Sequence, residues 1–135
     1  MTSALFDPGR EGFLDGTIDW DTADIRVMLC KSAYTFDAAD RYITDLPAAT
    51  ADNGRTAALG TKTVTGGVAD AADTTLVATS AVACNALIVY QYTASDASAR
   101  VIAYIDSATG LPFTPAASQT VSIAWGETAN KIFKL

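Results

Sequence analysis

Clustered acidic side chains are the residues of this sequence that could most directly carry chemistry. Asp15, Asp19, Asp21 and Asp24 fall within ten residues, and carboxylate oxygens at this density can bind Ca²⁺. The spacing, however, lacks the alternating ligands, the glycine and the final glutamate of an EF-hand loop. We favour the interpretation that these aspartates cap backbone amides in a turn and stay hydrated.

The composition excludes several other classes of catalytic site. The chain has no histidine, which excludes Ser-His-Asp and Cys-His nucleophiles and every histidine-containing zinc site. Glycoside hydrolysis needs two carboxylates across a cleft, but thirteen aspartates form so many accidental pairs that none can be singled out. We therefore predict no catalytic residues, no metal and no cofactor, and we expect that the protein is not an enzyme.

The two cysteines and the two tryptophans are predicted to serve packing. Cys30 and Cys84 each lie in an apolar, strand-like run, which indicates buried free thiols and not a disulfide or a redox pair. Trp20 and Trp125 could stack on a sugar or a base. A role as anchors of the core or of an interface is more typical when a small domain has only two tryptophans.

Charge and hydropathy limit the partners. Lys and Arg total 9 against 15 Asp and Glu, for a net charge of -6, so the chain lacks the basic surface that nucleic-acid binding requires. The longest apolar run, residues 86–90, is far shorter than the ~20 residues of a membrane span. Residues 1–6 lack the basic and apolar stretches of a secretory signal. We expect synthesis in a cytoplasm, with no nucleic-acid partner and no membrane partner.

Short strands separated by turn residues dominate the pattern of the 135 residues. Alternating apolar and polar residues, punctuated by Gly, Pro, Asp and Ser, predict about seven strands. They cover residues 25–30, 61–65, 74–79, 85–92, 100–106, 119–125 and 131–135. We predict a mainly β fold with one domain over residues 1–135, a single antiparallel β-sandwich or small barrel with one or two short helices.

Helix signals are sparse. A short helical N-terminal segment is predicted at residues 3–15, because an N-cap residue precedes a proline near its start and Gly16 can end it. A second helical turn is predicted within residues 37–45, with Tyr42, Ile43 and Leu46 facing inward and Pro47 ending it. Residues 48–60, rich in Ala, Thr, Asp, Asn and Gly, are predicted to form an exposed, mobile loop.

Two of the predicted strands, 85–92 and 100–106, are apolar on both faces. In the first of them, Leu87 and Val89 point opposite to Ile88, since side chains alternate along a strand. We favour a central position, in which a helix or a second sheet covers the outer face. The alternative is that one face meets another subunit.

Four segments together resemble a family of small structural proteins of tailed bacteriophages. The most specific is the run Asp-x-Ala-Thr-Gly-Leu-Pro at residues 106–112, which follows a hydrophobic strand. The run Asn-Lys-Ile-Phe-Lys-Leu at residues 130–135 is nearly as distinctive. The four segments are residues 9–16 with 18–20, 45–48, 100–112 and 129–135. At residues 7–9 this sequence departs from the family, which has a better helix former there.

The resemblance implies a virion structural protein, a capsid decoration or cement subunit that does no chemistry. Such a subunit would sit on the capsid surface, bind the major capsid protein lattice and its own copies, as a dimer or trimer, and stabilise the head. The residues expected to make these contacts are Phe6, Phe13 and Trp20, then Asp52, Asn53 and Arg55 in the predicted loop, then Ile132, Phe133 and Leu135.

Two alternatives stay open. Within a virion, the chain could be a head-to-tail connector or tail-associated protein, which would form a ring of few copies. Outside that class, it could be a carbohydrate-binding or receptor-binding β-module that uses Trp20, Tyr34 or Tyr42 as stacking platforms.

Overall fold

The computed structural model of the chain describes residues 4–126 and 131–135, and these residues are mainly β. They form nine strands: β1 Ala4–Leu5, β2 Ile25–Lys31, β3 Asp52–Arg55, β4 Val68–Ala69, β5 Thr74–Val77, β6 Cys84–Gln91, β7 Val101–Ile105, β8 Thr120–Ile123 and β9 Phe133–Lys134. Helix in the described residues comprises α1 (Asp7–Asp15), the single turn α2 (Ala48–Ala51) and two 3-10 turns at Ile43–Asp45 and Thr65–Gly67.

Five strands form one antiparallel sheet in the order β1-β7-β6-β2-β3. Its centre is held in register by the pairs Leu29 with Leu87 and Leu87 with Ile105. Two small antiparallel sheets, β4-β9 and β5-β8, complete the β-structure of the described residues, which do not close into a barrel. The prediction of a mainly β, antiparallel fold is confirmed.

The central strands β2, β6 and β7 are buried on both faces because consecutive residues are apolar. One face carries Val27, Leu29 and Leu87 into a core that also contains both tryptophans. The opposite face carries Met28 and Ile88 into a second core. This confirms the predicted central position of the two-faced strands, and the single chain covers both faces by itself.

The predicted strands are present as β2, β5, β6, β7, β8 and β9, with one exception. Residues 61–65 form no strand, and Thr63 makes only an isolated bridge to Asp70. The chain turns away at Thr65–Gly67, where Gly66 has a φ of 68°. The pattern does not indicate β1, β3 or β4. β1 and β4 have two residues each and lie outside the alternating runs, and Asp52, Gly54 and Arg55 of β3 are residue types typical of loops.

The N-terminal helix α1 begins at Asp7, whereas residues 4–5 of the predicted helical segment 3–15 form β1 and residue 3 lies outside the described residues. Gly16, with a φ of 80°, ends the helix as expected. Glycines, which disfavour an isolated helix, are required here by packing. A Cβ at Gly9 would lie 2.9 Å from the backbone of Ile102, so glycine lets α1 lie directly on β7.

The structure corrects the prediction of an exposed loop over residues 48–60. This segment contains α2 and then β3, which pairs with β2 as an edge of the main sheet. The Asn53 side chain is buried, and its oxygen accepts hydrogen bonds from Thr79 Oγ1 and from the backbone N and Oγ of Ser80 at 2.7–3.0 Å. A polar composition did not mean exposure here, because the chain itself satisfies the polar groups.

The second predicted helical turn is shorter than residues 37–45. It consists of the 3-10 turn Ile43–Asp45, whose Asp45 carboxylate accepts a 2.8 Å hydrogen bond from the Tyr42 backbone N–H. Ile43 and Leu46 are buried as expected, and Tyr42 is half-buried.

Candidate functional site

Three aromatic residues from distant parts of the chain meet on one side of the molecule. Phe133 on β9 lies 5.3 Å from Trp20 in an edge-to-face arrangement and 5.8 Å from Phe13 on α1, measured between ring centroids. All three are among the residues predicted from the sequence to make contacts. The fold therefore joins three of the predicted contact residues into one cluster, whereas Phe6 packs in the second core.

The pairing of β9 with β4 holds this cluster in place. Phe133 is paired with Ala69, and the backbone N–H of Leu135 donates to Gly67 O at 3.0 Å. The Trp20 ring is held in place by its indole N–H, which donates to the backbone oxygen of Asp70 at 3.2 Å. These bonds to residues 67–70 hold the aromatic cluster in place, with Trp20 buried and Phe13 and Phe133 half-buried.

A groove of about 270 Å³ opens above these rings. Its residues come from the end of α1, the segment after it, the turn before β4, and β9. They are Phe13, Gly16, Ile18, Asp19, Trp20, Val64, Gly67, Val68, Ala69, Phe133 and Leu135. Val64 and Leu135 on its border are 52% and 60% exposed. We call this feature the terminal groove; it is an apolar surface open to a partner.

Acidic groups lie beside the terminal groove. Asp19 lines it, and Asp21 is exposed two residues further along the chain. The interaction between the two carboxyl groups lowers the pKa of Asp19, with a further contribution from Thr22, and raises the pKa of Asp21. Two exposed carboxyl groups so close together repel each other when both are ionised, and a nearby cation relieves that repulsion. Lys62 lies near enough to lower the pKa of Asp21 slightly.

Several residues predicted to contact a partner are instead buried in the chain's own cores. Phe6, Trp20, Asn53 and Ile132 are each less than 5% exposed, and this corrects the expectation that they present a surface. Apolar residues near the termini cannot be told from surface anchors by type alone, because cores and interfaces use the same side chains. Of the other predicted contact residues, Leu135 is exposed and four are half-buried: Phe13, Asp52, Arg55 and Phe133.

Arg55 and Asp52 lie away from the terminal groove and form a contact within the chain. Arg55 Nε lies 2.9 Å from the Asp52 carboxylate, and its Nη1 lies 2.8 Å from Asp96. The guanidinium also lies 5.6 Å from the Tyr90 ring centroid. These hydrogen bonds, the one to Asp96 first, raise the pKa of Arg55. The arrangement ties β3 to the loop that precedes β7, so its role is structural.

A larger apolar cavity has a volume of about 690 Å³. Residues 107–111 provide part of its wall, together with β8, Leu87 of β6 and Ile105 at the end of β7. Its wall includes Leu87, Ile105, Ser107, Ala108, Thr109, Gly110, Leu111, Phe113, Val121, Trp125 and Ile132. Trp125 is held there by its indole N–H, which donates to Ala72 O at 3.2 Å. The most specific segment of the sequence thus shapes a hollow in the core.

The residues considered for chemistry have structural partners. Asp15 caps the backbone of Thr17 at 2.9 Å, and hydrogen bonds from Thr17 lower its pKa; Asp24 pairs with Arg26 at 2.9 Å. In the part of the chain that the structure describes, no group of three or more His, Cys, Asp or Glu side chains is placed to hold a metal ion. Cys30 and Cys84 are free and buried, as predicted.

The alternative role in carbohydrate binding requires exposed aromatic rings, and two of its three proposed rings are buried. Trp20 and Tyr34 are buried, and only Tyr42 keeps a partly exposed ring. Tyr34 is also engaged through its hydroxyl, which donates to Asp40 at 2.6 Å.

Sequence reasoning missed Val64. It falls in the run at residues 61–65, which predicts a half-buried strand, but these residues form no strand and Val64 is exposed at the groove. Gly66 and Gly67 indicate a turn, but no local pattern indicates that Val64 lies at the groove.

Comparison with protein-family models, with curated proteins and with solved structures gives no match to this chain. Among its described helices, none is long and apolar enough to cross a membrane. The terminal groove is therefore interpreted from its own geometry.

Proposed function

We propose that this protein is a structural protein of a bacteriophage virion: a decoration or cement subunit that binds the major capsid protein lattice and stabilises the head. It acts by contact and not as an enzyme. The observation that carries the proposal is the terminal groove, a preorganised apolar surface that the residues near both termini build together. A subunit held by contact needs such a surface and no reaction centre.

The resemblance to phage structural proteins supports the same role. Of the four segments that carry it, residues 131–135 include β9, which forms one wall of the terminal groove, and residues 9–16 include the end of α1, which forms another. Residues 107–111 line the larger cavity. Three of the four segments that resemble the phage family thus contribute residues to these two pockets.

One small groove per subunit is sufficient for tight attachment when the contact is repeated over a lattice. Linked or neighbouring copies bind with an avidity about 10²–10⁴-fold above that of one contact when the geometry lets all of them engage. We infer that copies of this chain, as dimers or trimers, occupy equivalent positions of a symmetric shell. The two small sheets then serve as a second layer over the main sheet, in the manner of a β-sandwich.

The proposal is tested by adding the purified chain to heads assembled from the major capsid protein without it. Sedimentation of the heads separates bound from free chain, and quantitation of the pellet gives the stoichiometry. We expect saturable binding at a fixed simple ratio to the major capsid protein. Binding of only a few copies per head would favour a connector at a unique vertex, and no binding to heads that are shown to be intact would overturn the proposal.

A further inference from the structure

We infer that the terminal groove receives an apolar side chain that the capsid protein presents next to a lysine or arginine. This inference rests on the proposed function and adds to it the chemistry of the segment that docks. The apolar side chain enters between Val64 and Leu135 onto the aromatic floor, and the cationic group lies over Asp19 and Asp21.

The size of the groove fits a protein side chain better than a small molecule. Its volume of about 270 Å³ lies just below the ~300–1,000 Å³ usual for small-molecule sites. The floor consists of Phe13, Trp20 and Phe133, which are held by one another and by the backbone. Preorganised aromatic floors around one inserted anchor are typical of the centre of a protein interface.

The charges around the groove indicate which residue type lies next to the partner's apolar side chain. Asp19 lines the groove, Asp21 follows it two residues later, and both side chains are exposed. The whole chain has a net charge of -6, which favours a basic partner at this groove. Asp19 is the single charged side chain among the described residues that line the groove, and Lys62 lies near Asp21. A partner with an apolar side chain beside one cation matches this arrangement.

The apolar half of the inference is tested with paired surface variants in the sedimentation assay. The test variant combines Val64→Ser and Leu135→Ser. Its control combines Val77→Ser and Val82→Ser, at positions 54% and 41% exposed that do not line the groove. We expect the test variant to bind heads about tenfold or more weakly and the control within about twofold of the unchanged chain. Both pairs are on the surface, and thermal unfolding of each verifies that the fold is kept.

The charged half is tested with Asp19→Asn combined with Asp21→Asn. The control combines Asp7→Asn with Asp37→Asn, which removes the same formal charge at the opposite end of α1. We expect the test variant to bind more weakly at low salt and to show a smaller loss of binding as salt is raised, because screened pairs lose their attraction. The control is expected to keep the affinity and the salt dependence of the unchanged chain.

The outcomes separate the inference from the proposed function. If the unchanged chain does not bind heads, the proposed function fails. If it binds and both groove variants match their controls, the function stands and the groove is not the docking site. If only the acidic variant matches its control, the apolar anchor stands and the cationic neighbour is wrong.

Discussion

At the scale of single residues, Asn53 shows how a polar side chain can hold the core together. Its side chain is buried and bonds to Ser80, Thr79 and Cys84 Sγ, so β3 and the segment after β5 are joined through one amide. We expect Asn53→Ala to lower the free energy of unfolding by about 1–3 kcal/mol, because buried donors and acceptors lose their partner.

Chemical denaturation measures this loss directly. Asn85→Ala is the matched control, since the side-chain oxygen of Asn85 has no hydrogen-bond partner and its removal is expected to cost less. Equal destabilisation by the two variants would contradict the role given to Asn53.

The thiols give a second prediction at this scale. Burial first, and then the neighbouring Cys84 and Asp52, raise the pKa of Cys30 to about 12. Burial also raises the pKa of Cys84, although a hydrogen bond from Asn53 opposes the shift. At pH 8 about one Cys30 thiol in ten thousand is then ionised, and thiolate is the reactive form.

We therefore expect almost no reaction of the folded chain with Ellman's reagent at pH 8. Unfolding in guanidinium should expose both cysteines of the chain to rapid reaction. The reaction of the unfolded chain serves as the internal control. Rapid labelling of the folded chain would show that these thiols are not in the core.

At the scale of elements, α1 lies against β7 through a glycine. In an isolated helix, alanine is favoured over glycine by about 1 kcal/mol. A Cβ at Gly9, however, would lie 2.9 Å from both Cα and O of Ile102, and backbone atoms cannot move aside easily. We expect Gly9→Ala to destabilise the protein by roughly 1–3 kcal/mol, against the helix propensity.

The control for this prediction is Gly60→Ala, because a Cβ there meets nothing within 4 Å. We expect Gly60→Ala to leave the midpoint of thermal unfolding unchanged or slightly raised. Stabilisation by Gly9→Ala would show that α1 does not pack closely on β7.

Element by element, the sequence predicts the fold best where burial is strong. The runs that became β2, β6 and β7 are apolar at consecutive positions, and only a central strand buries both faces. β3 was missed because Asp52, Gly54 and Arg55 are typical of loops, and what makes a strand there is long-range: Gly54, with a φ of 120°, lies directly against the Val77 carbonyl. No pattern of neighbouring residues in the sequence indicates that contact.

The candidate site was predictable in part. Sequence reasoning named Phe13, Trp20 and Phe133, and the fold brings them together. Their residue types favoured contact roles, but whether each contact lies within the chain or with a partner depends on burial. Val64 could not be assigned in advance, since its position at the groove depends on the turn that replaces the predicted strand.

At the scale of the whole molecule, one chain covers both faces of its main sheet. Apolar residues make up 50% of the sequence, and two cores bury most of the large ones on opposite sides of β2, β6 and β7. Under the proposed function, contact with the capsid protein therefore depends on a small surface and not on an uncovered sheet. Strong retention on a head would then require many equivalent contacts, as a lattice of copies supplies.

The number of copies in a particle tests this account most directly. Quantitative mass spectrometry of purified virions gives the ratio of this chain to the major capsid protein. We predict a ratio near one or a fixed simple fraction of it, as expected for a subunit that decorates the whole lattice. About six to twelve copies per particle, the number that a closed ring at a single vertex would contain, would contradict a decoration role, and absence from virions would contradict the proposed function altogether.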